Sequence, residues 1–295
     1  MRLHCLGTAG YHPSETRHTS CYFLPESGIV LDAGTGLFRL PPLIQTDSLD
    51  ILLSHAHLDH TVGLTFLLDV VYQRPVREIR VWGQQEKLDA IRQLIGSELI
   101  FPVELPVRWM AIDDQPEFCV RPITRAAGDG RQNQPDQTLA SSAGMPPVRV
   151  QWHFQSHPGG SVGYRLDWDT DPTDNPTQTR QAGQGRAFSP STPPKSLVYV
   201  TDTTGADPAR PATYNWMAGT DLLMHECNFS TAHRQWAEKT GHCWLGRVAE
   251  IAHASKPERV LLTHLNPIAE LDLPVVESVF RSPVDVAADG MCLDF

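Results

Sequence analysis

Residues 54–60 read Ser54-His55-Ala56-His57-Leu58-Asp59-His60, and this stretch decides the fold. It follows an apolar run over 49–54 that is typical of a buried strand, and it precedes an apolar run over 62–72 that predicts a buried helix. A loop that the core holds at both ends can keep ligand side chains in a fixed geometry. Three imidazoles and one carboxylate within six residues are the donors that zinc and similar divalent ions bind.

The spacing inside this motif indicates two metal ions rather than one. On an extended backbone His55 and His57 project to the same side, whereas the adjacent Asp59 and His60 point apart. One ion could not easily take all four side chains. The motif therefore predicts two ions side by side.

The rest of the chain alternates between strand and helix patterns. Predicted strands cover 28–32, 49–54, 79–83, 148–154, 161–167, 197–201 and 259–263, and predicted helices cover 62–72, 84–95 and 243–254. Strands and helices interleaved in this way imply sheets that are covered by helices.

Composition predicts one globular domain with two insertions. The chain has 295 residues, of which 41% are hydrophobic and 20% charged, as in an ordinary globular protein. The segments 126–147 and 169–195 are instead rich in Gly, Pro, Gln, Ser and Thr, so we expect them to be flexible loops. Because motif residues lie on both sides of each segment, we predict a single domain over 1–295.

Charge and cysteine usage restrict the partners and the compartment. The net charge of −10 means that any phosphate site must be made locally, by metal ions or a few basic groups. No apolar run approaches the ~20 residues that a membrane span needs. The six cysteines include no CxxC pair, which favours a reducing compartment. We therefore expect a cytoplasmic protein with no membrane partner.

Four further motifs extend the pattern through the chain. They are 31–34 with Asp32, 156–164 with His157, 199–203 with Asp202, and 261–267 with His264. Together with HxHxDH over 55–60, they resemble the metallo-β-lactamase fold, and the downstream residues are most similar to its ribonuclease Z and phosphodiesterase branch. The resemblance covers about residues 3–267. It implies an α/β fold of the αββα sandwich type, in which two mixed sheets face each other and are flanked by helices.

The resemblance also implies a set of metal ligands. One ion would be held by His55, His57 and His157, the other by Asp59, His60 and His264, and Asp202 would bridge the two together with a water or hydroxide. Asp59 would in addition orient that water or take its proton. Zinc is the expected metal, and His and Asp ligands also permit manganese or iron.

Two more segments resemble the ribonuclease Z branch and imply a catalytic pair. Residues 223–229 are similar to the family segment His-Glu-Ala-Thr-Phe, and 237–242 match its Gly-His before a helix, although Cys243 and Trp244 replace the usual Ser-Thr. The resemblance implies that His242 contacts the scissile phosphate and protonates the leaving oxygen. It implies that Glu226 orients His242 and raises its pKa. Backbone amides at the start of the following helix are expected to be free for an anion.

These features favour hydrolysis of a phosphodiester. The substrate would be a cyclic nucleotide, a cyclic phosphate or an RNA 3′ end. Processing of tRNA 3′ ends is the alternative. The family's tRNA-binding arm corresponds to 169–195, which is short here and has only Arg180, Arg186 and Lys195 as basic residues. Two other readings stay open, a lactone or thioester hydrolase and a non-catalytic metal-binding protein. A homodimer is also left open.

Overall fold

The computed structural model describes residues 1–123, 145–169, 194–268, 271 and 273–295. The insertions predicted at 126–147 and 169–195 lie outside the described residues, apart from a few residues at their ends. Within the described ranges, no helix combines the length and the apolar character that crossing a bilayer requires.

Fourteen strands and six α-helices are present in the described part of the chain. The strands are β1 (Arg2–Gly7), β2 (Cys21–Leu24), β3 (Ile29–Leu31), β4 (Ser48–Leu52), β5 (Glu78–Gly83), β6 (Arg108–Ala111), β7 (Glu117–Val120), β8 (Val148–Gln155), β9 (Ser161–Trp168), β10 (Lys195–Val200), β11 (Leu222–Glu226), β12 (Arg259–Thr263), β13 (Val284–Val286) and β14 (Cys292–Asp294). The helices are α1 (Leu58–Thr61), α2 (Leu67–Gln73), α3 (Gln85–Ile95), α4 (Arg234–Thr240), α5 (Leu245–Ser255) and α6 (Leu273–Val279).

The strands form two seven-stranded sheets with the same pairing pattern. The first has the order β14-β1-β2-β3-β4-β5-β6 and the second the order β13-β12-β11-β10-β9-β8-β7. In each sheet one half pairs antiparallel and the other half parallel. Both sheets are therefore mixed, as the sequence predicts.

Three apolar clusters place the sheets back to back with helices outside. One cluster joins residues of both sheets, among them Tyr22 and Leu31 from the first and Tyr164 and Tyr199 from the second. A second cluster packs α2 and α3 on the outer face of the first sheet, and a third packs α5 on that of the second. The predicted αββα sandwich is confirmed, because each sheet buries one face against the other sheet and one against helices.

The helix predicted over 62–72 is wrong over its first five residues. Residues Val62–Phe66 form a 3-10 turn, and α2 begins only at Leu67. The Gly63 amide donates to the Ala33 carbonyl at 2.8 Å instead of to its own helix, and a Cβ on Gly63 would lie 2.2 Å from the Gly34 carbonyl oxygen. Close packing against 33–34 therefore breaks the helix, which an apolar pattern cannot indicate.

Chemistry-bearing residues follow the carboxyl ends of the parallel strands. Asp32 comes after β3, His55 after β4, Asp202 after β10 and His264 after β12. Three of these residues adopt left-handed backbone angles, with φ of +57° for Asp32, +45° for Asp202 and +50° for His264. Such angles cost energy for residues other than glycine and are concentrated at functional sites. The two sheets thus bring these strand ends to one edge of the sandwich.

Candidate metal centre

The first group of candidate ligands contains three histidines and one carboxylate. The ligand atoms of His55, His57, His157 and Asp202 lie within 4.8 Å of one another. Asp202 Oδ2 is 3.6 Å from His55 Nε2 and 3.5 Å from His157 Nε2. The His57 Nδ1 atom lies 3.4 Å from His157 Nε2. These four side chains, from three separate stretches, can surround one tetrahedral ion.

The second group forms beside the first. Asp59, His60 and His264 also place their ligand atoms within 4.8 Å of one another. Asp59 Oδ2 lies 3.3 Å from both His60 Nε2 and His264 Nε2, which are 3.1 Å apart. Two imidazoles and a carboxylate aimed at one point are a second set of donors for a divalent cation.

Asp202 connects the two groups through its two oxygens. Its Oδ2 faces His55 and His157, whereas its Oδ1 is 3.1 Å from His60 Nε2 and 3.2 Å from His264 Nε2. A single carboxylate therefore reaches both candidate ion positions. All seven predicted ligands converge on this edge of the sandwich.

The donor chemistry of the buried imidazoles fits a cation. His55 Nδ1 contacts Ser54 Oγ at 3.0 Å, while the buried Nε2 has no hydrogen-bond partner among the described residues. An orphaned buried nitrogen is costly unless something binds it. His157 likewise donates its Nδ1 proton to the Gly241 carbonyl at 2.9 Å, which leaves Nε2 with its lone pair toward the centre. The residues present therefore suit divalent ions at this position.

Burial and charge set different protonation states in the two groups. Burial holds the pKa of His55 well below its ordinary value, and it also lowers the pKa of His57 and His157. These rings stay neutral, as a metal ligand must. Burial would lower the pKa of His60 as well, but the carboxylates of Asp202 and Asp59 outweigh it and raise the pKa well above its usual range. A divalent cation bound there would take the place of that proton.

Asp32 fixes the orientation of His60. Its carboxylate accepts hydrogen bonds from His60 Nδ1 at 2.7 Å, Ser54 Oγ at 2.8 Å, the Ser54 amide at 2.7 Å and Tyr199 Oη at 2.7 Å. The bond to Nδ1 selects the tautomer in which Nε2 is free to bind a cation. Asp32 thus orients a candidate ligand without belonging to either ligand group.

We predict that Asp32→Asn weakens binding of the ion in the second group by about 10–100-fold, because the amide no longer fixes His60. Titration of the metal-free protein with zinc, followed by calorimetry, measures this affinity. Tyr199→Phe removes only one of the four hydrogen bonds to Asp32 and should have a smaller effect in the same direction. Equal zinc affinities for wild type and Asp32→Asn would contradict the role given to Asp32.

His242 and Glu226 lie against this centre as a pair. The His242 Nδ1 atom donates to Glu226 Oε1 at 3.1 Å and is 4.0 Å from Asp202 Oδ2. Burial alone would lower the pKa of His242, but the charge and hydrogen bond of Glu226 raise it to about 9. Glu226 is fully buried and also accepts the amides of Thr203 at 2.6 Å and Cys243 at 3.1 Å. Glu226 therefore favours the protonated form of His242, which lies at the edge of the site.

The prediction that backbone amides at the start of α5 are free for an anion is wrong for Leu245 and Gly246. The Leu245 amide donates to the Phe229 carbonyl at 2.9 Å, and the Gly246 amide donates to Thr231 Oγ1 at 3.0 Å. The helix begins two residues later than the predicted 243, because Cys243 and Trp244 still belong to the connection. The amides of Leu245 and Gly246 are therefore not available to an anion near His242.

Sequence reasoning missed three residues that shape the site. Tyr199 holds Asp32 across the two sheets, the Asn228 amide lies 3.1 Å from His264 Nδ1, and the Tyr11 amide donates to Asp59 Oδ2 at 2.7 Å. Tyr199 and Asn228 stand near recognised motifs, but nothing in their types indicates these contacts. Tyr11 acts through its backbone, so no side-chain signal could have indicated it.

Comparisons with known proteins agree with this geometry. A family model described as a Beta-lactamase superfamily domain matches residues 28–265. A ribonuclease Z of Haloarcula marismortui is 26% identical over 317 aligned positions, which cover 99% of this chain and 96% of that protein. The short form of human tRNase Z superposes with a TM-score of 0.64 at 20% identity, covering 100% of this chain and 99% of that one.

Zinc-bound PqqB of Methylobacterium extorquens has a TM-score of 0.61 at 13% identity and is covered completely, as is this chain. The two solved structures establish the shared fold, and the family model covers most of the chain. The chain therefore belongs to the β-lactamase superfamily, as a metal-dependent hydrolase of the metallo-β-lactamase fold that is similar to ribonuclease Z.

Proposed function

We propose that this protein is a dinuclear metal-dependent phosphodiesterase whose ligands are His55, His57, Asp59, His60, His157, Asp202 and His264. The observation that carries the proposal is the position of Asp202, which presents one oxygen to each ligand group. A carboxylate shared in this way is what holds two cations side by side. Zinc suits these donors, and manganese or iron would also be accepted.

Two divalent ions held by these residues would lower the pKa of a bound water and would supply positive charge to offset the phosphoryl oxygens. Asp59 orients the attacking water or takes its proton. His60 and His264 hold the Asp59 pKa well below its ordinary value against the effect of burial, and the Tyr11 amide fixes one of its oxygens. His242 donates a proton to the leaving oxygen. Glu226 raises the pKa of His242 and fixes the orientation of its ring.

The His242–Glu226 pair favours a phosphodiester with an alkoxide leaving group, since such a group needs a proton when it departs. A nucleotide cyclic phosphate, a cyclic nucleotide and an RNA 3′ end all meet this description. Processing of tRNA 3′ ends is the second candidate, supported by the nearly full-length similarity to proteins named ribonuclease Z. The segment that corresponds to the family arm, 169–195, falls almost entirely outside the described residues.

The testing experiment is a substrate screen with metal analysis of the same sample. The substrates are bis-(p-nitrophenyl) phosphate, 2′,3′-cyclic and 3′,5′-cyclic nucleotides, a precursor tRNA, and a panel of lactones and thioesters. We expect turnover of one or more phosphodiesters and none of the lactones. Metal without turnover would favour a binding protein, and turnover confined to lactones or thioesters would reject the phosphodiesterase.

We also predict the effect of metal removal. Dialysis against EDTA should lower diester turnover by more than about 100-fold, because the residues alone cannot activate water or neutralise a phosphoryl group at neutral pH. Back-titration with zinc should restore activity, with saturation near two ions per chain. The control is dialysis against buffer without chelator. Full activity in a sample verified to be metal-free would reject the proposal.

A further inference from the structure

The surface on both sides of His242 is basic and aromatic. Its members lie on α4 and at the start of α5, and together they are named the α4–α5 patch. They are Arg234, Trp236, Lys239, Trp244 and Arg247. The mechanism above uses none of them.

Each cation of the α4–α5 patch lies over an indole ring. The Lys239 ammonium is 5.1 Å from the centre of the Trp236 ring. The Arg234 and Arg247 guanidinium carbons are 4.9 and 5.3 Å from the centre of the Trp244 ring. Trp244 is 6% exposed and so forms a fixed support for the two guanidiniums, whereas Trp236 is 57% exposed and presents its ring to solvent.

Chain connectivity places the α4–α5 patch beside the candidate metal centre. The helix α4 ends at Thr240, and Gly241 turns the chain with a φ of +83° directly before His242. The Gly241 carbonyl accepts the Nδ1 proton of His157, one of the proposed ligands, at 2.9 Å. Trp244 follows two residues after His242 and precedes α5. The patch residues therefore flank His242 along the chain, from eight residues before it to five residues after it.

The arginines of the patch retain hydrogen-bonding capacity. Arg234 uses Nε for Glu238 at 2.8 Å, and Arg247 uses Nη1 for Glu250 at 3.1 Å. A guanidinium has five N–H donors, so each of these ion pairs leaves donors for another oxyanion. Phosphates can therefore bind at the remaining edges, although the chain as a whole carries a charge of −10.

Resting on the proposed function, we propose that the α4–α5 patch binds the single-stranded part of an RNA substrate next to the scissile phosphodiester. Lys239, Arg234 and Arg247 neutralise its phosphates, and the exposed ring of Trp236 stacks on a base. Cations interleaved with aromatic rings are the general chemistry of single-strand binding.

The test compares kcat/KM for a precursor tRNA and for a short single-stranded RNA with kcat/KM for bis-(p-nitrophenyl) phosphate. For Trp236→Ala we expect the ratio of RNA to small diester to fall about tenfold, the usual loss when a stacking ring is removed. For Lys239→Gln and Arg234→Gln we expect the dependence of log kcat/KM on log salt to become shallower by about 0.7 per lost phosphate contact.

Two matched variants act as controls. Tyr72→Ala removes an 87% exposed aromatic ring from α2, and Arg92→Gln removes a guanidinium that pairs with Asp89 at 3.7 Å on α3. Both should leave the ratio and the salt dependence at wild-type values. Patch variants that match these controls, or that lose activity equally on RNA and on the small diester, overturn the inference.

A wild-type protein that hydrolyses the small diester but no RNA also overturns the inference, and it leaves the phosphodiesterase intact. Absence of diester hydrolysis altogether instead rejects the proposed function. The two failures are therefore distinguishable.

Discussion

Asp202→Ala is expected to lose one or both metal ions and to reduce phosphodiester turnover by roughly a thousandfold or more. Among the described residues, Asp202 is the one carboxylate that lies near His55, His60, His157 and His264 together. Burial would raise its pKa, but the facing histidines hold it well below the ordinary value, so the group is an anion. Without it, two cations would face each other without their shared counter-charge. Metal content by plasma mass spectrometry and turnover on the same sample measure the effect.

Two further substitutions at this position separate charge from backbone strain. Asn keeps the size of Asp202 and tolerates its left-handed φ of +45°, whereas Gly removes the side chain and adopts that angle without strain. We expect both to lose metal, and we expect the metal-free Gly variant to be more stable than the Ala variant. Asp207→Ala, an exposed aspartate paired with Arg210, is the control. Two retained ions and normal turnover in Asp202→Asn would refute the bridging role.

The sequence could predict that the candidate ligands converge, because part of their signal is local. His55, His57, Asp59 and His60 lie within six residues at a strand end, and the order of strands determines where that end lies. Asp202 and His264 each follow a buried apolar run, so parallel pairing brings them to the same edge of the sandwich. The resemblance to the metallo-β-lactamase fold is what links Asp202, His264 and His157 to the first motif, since no spacing rule connects them to it.

The contacts that hold the ligands in place could not be predicted. Tyr199 reaches Asp32 across 167 residues of sequence, and such a contact depends on how the two sheets pack. The break at Gly63 has the same origin, since it depends on a carbonyl of residues 33–34 that lies against it only after folding. Pattern reasoning gives the positions of strand ends, whereas partners across the core follow from three-dimensional packing.

His242→Ala is expected to affect substrates according to their leaving group. Turnover of a diester with an alkoxide leaving group should fall by about 10²–10⁴-fold, which is the usual contribution of a general acid. A nitrophenolate departs without a proton, so bis-(p-nitrophenyl) phosphate should lose less than about tenfold. Metal content should not change, because His242 is not among the seven proposed ligands. His233→Ala, which removes an exposed histidine bonded to Ser230, is the control.

Glu226→Gln tests whether the carboxylate acts through His242. The amide cannot hold the pKa of His242 near 9, so the same leaving-group dependence should appear in weaker form. It should also lower stability, because Glu226 accepts the amides of Thr203 and Cys243 as well. If the two residues act as one unit, adding Glu226→Gln to His242→Ala costs little further turnover. Losses that multiply in the double variant would show that Glu226 acts independently of His242. Equal losses on both leaving groups in His242→Ala would show that the proton comes from elsewhere.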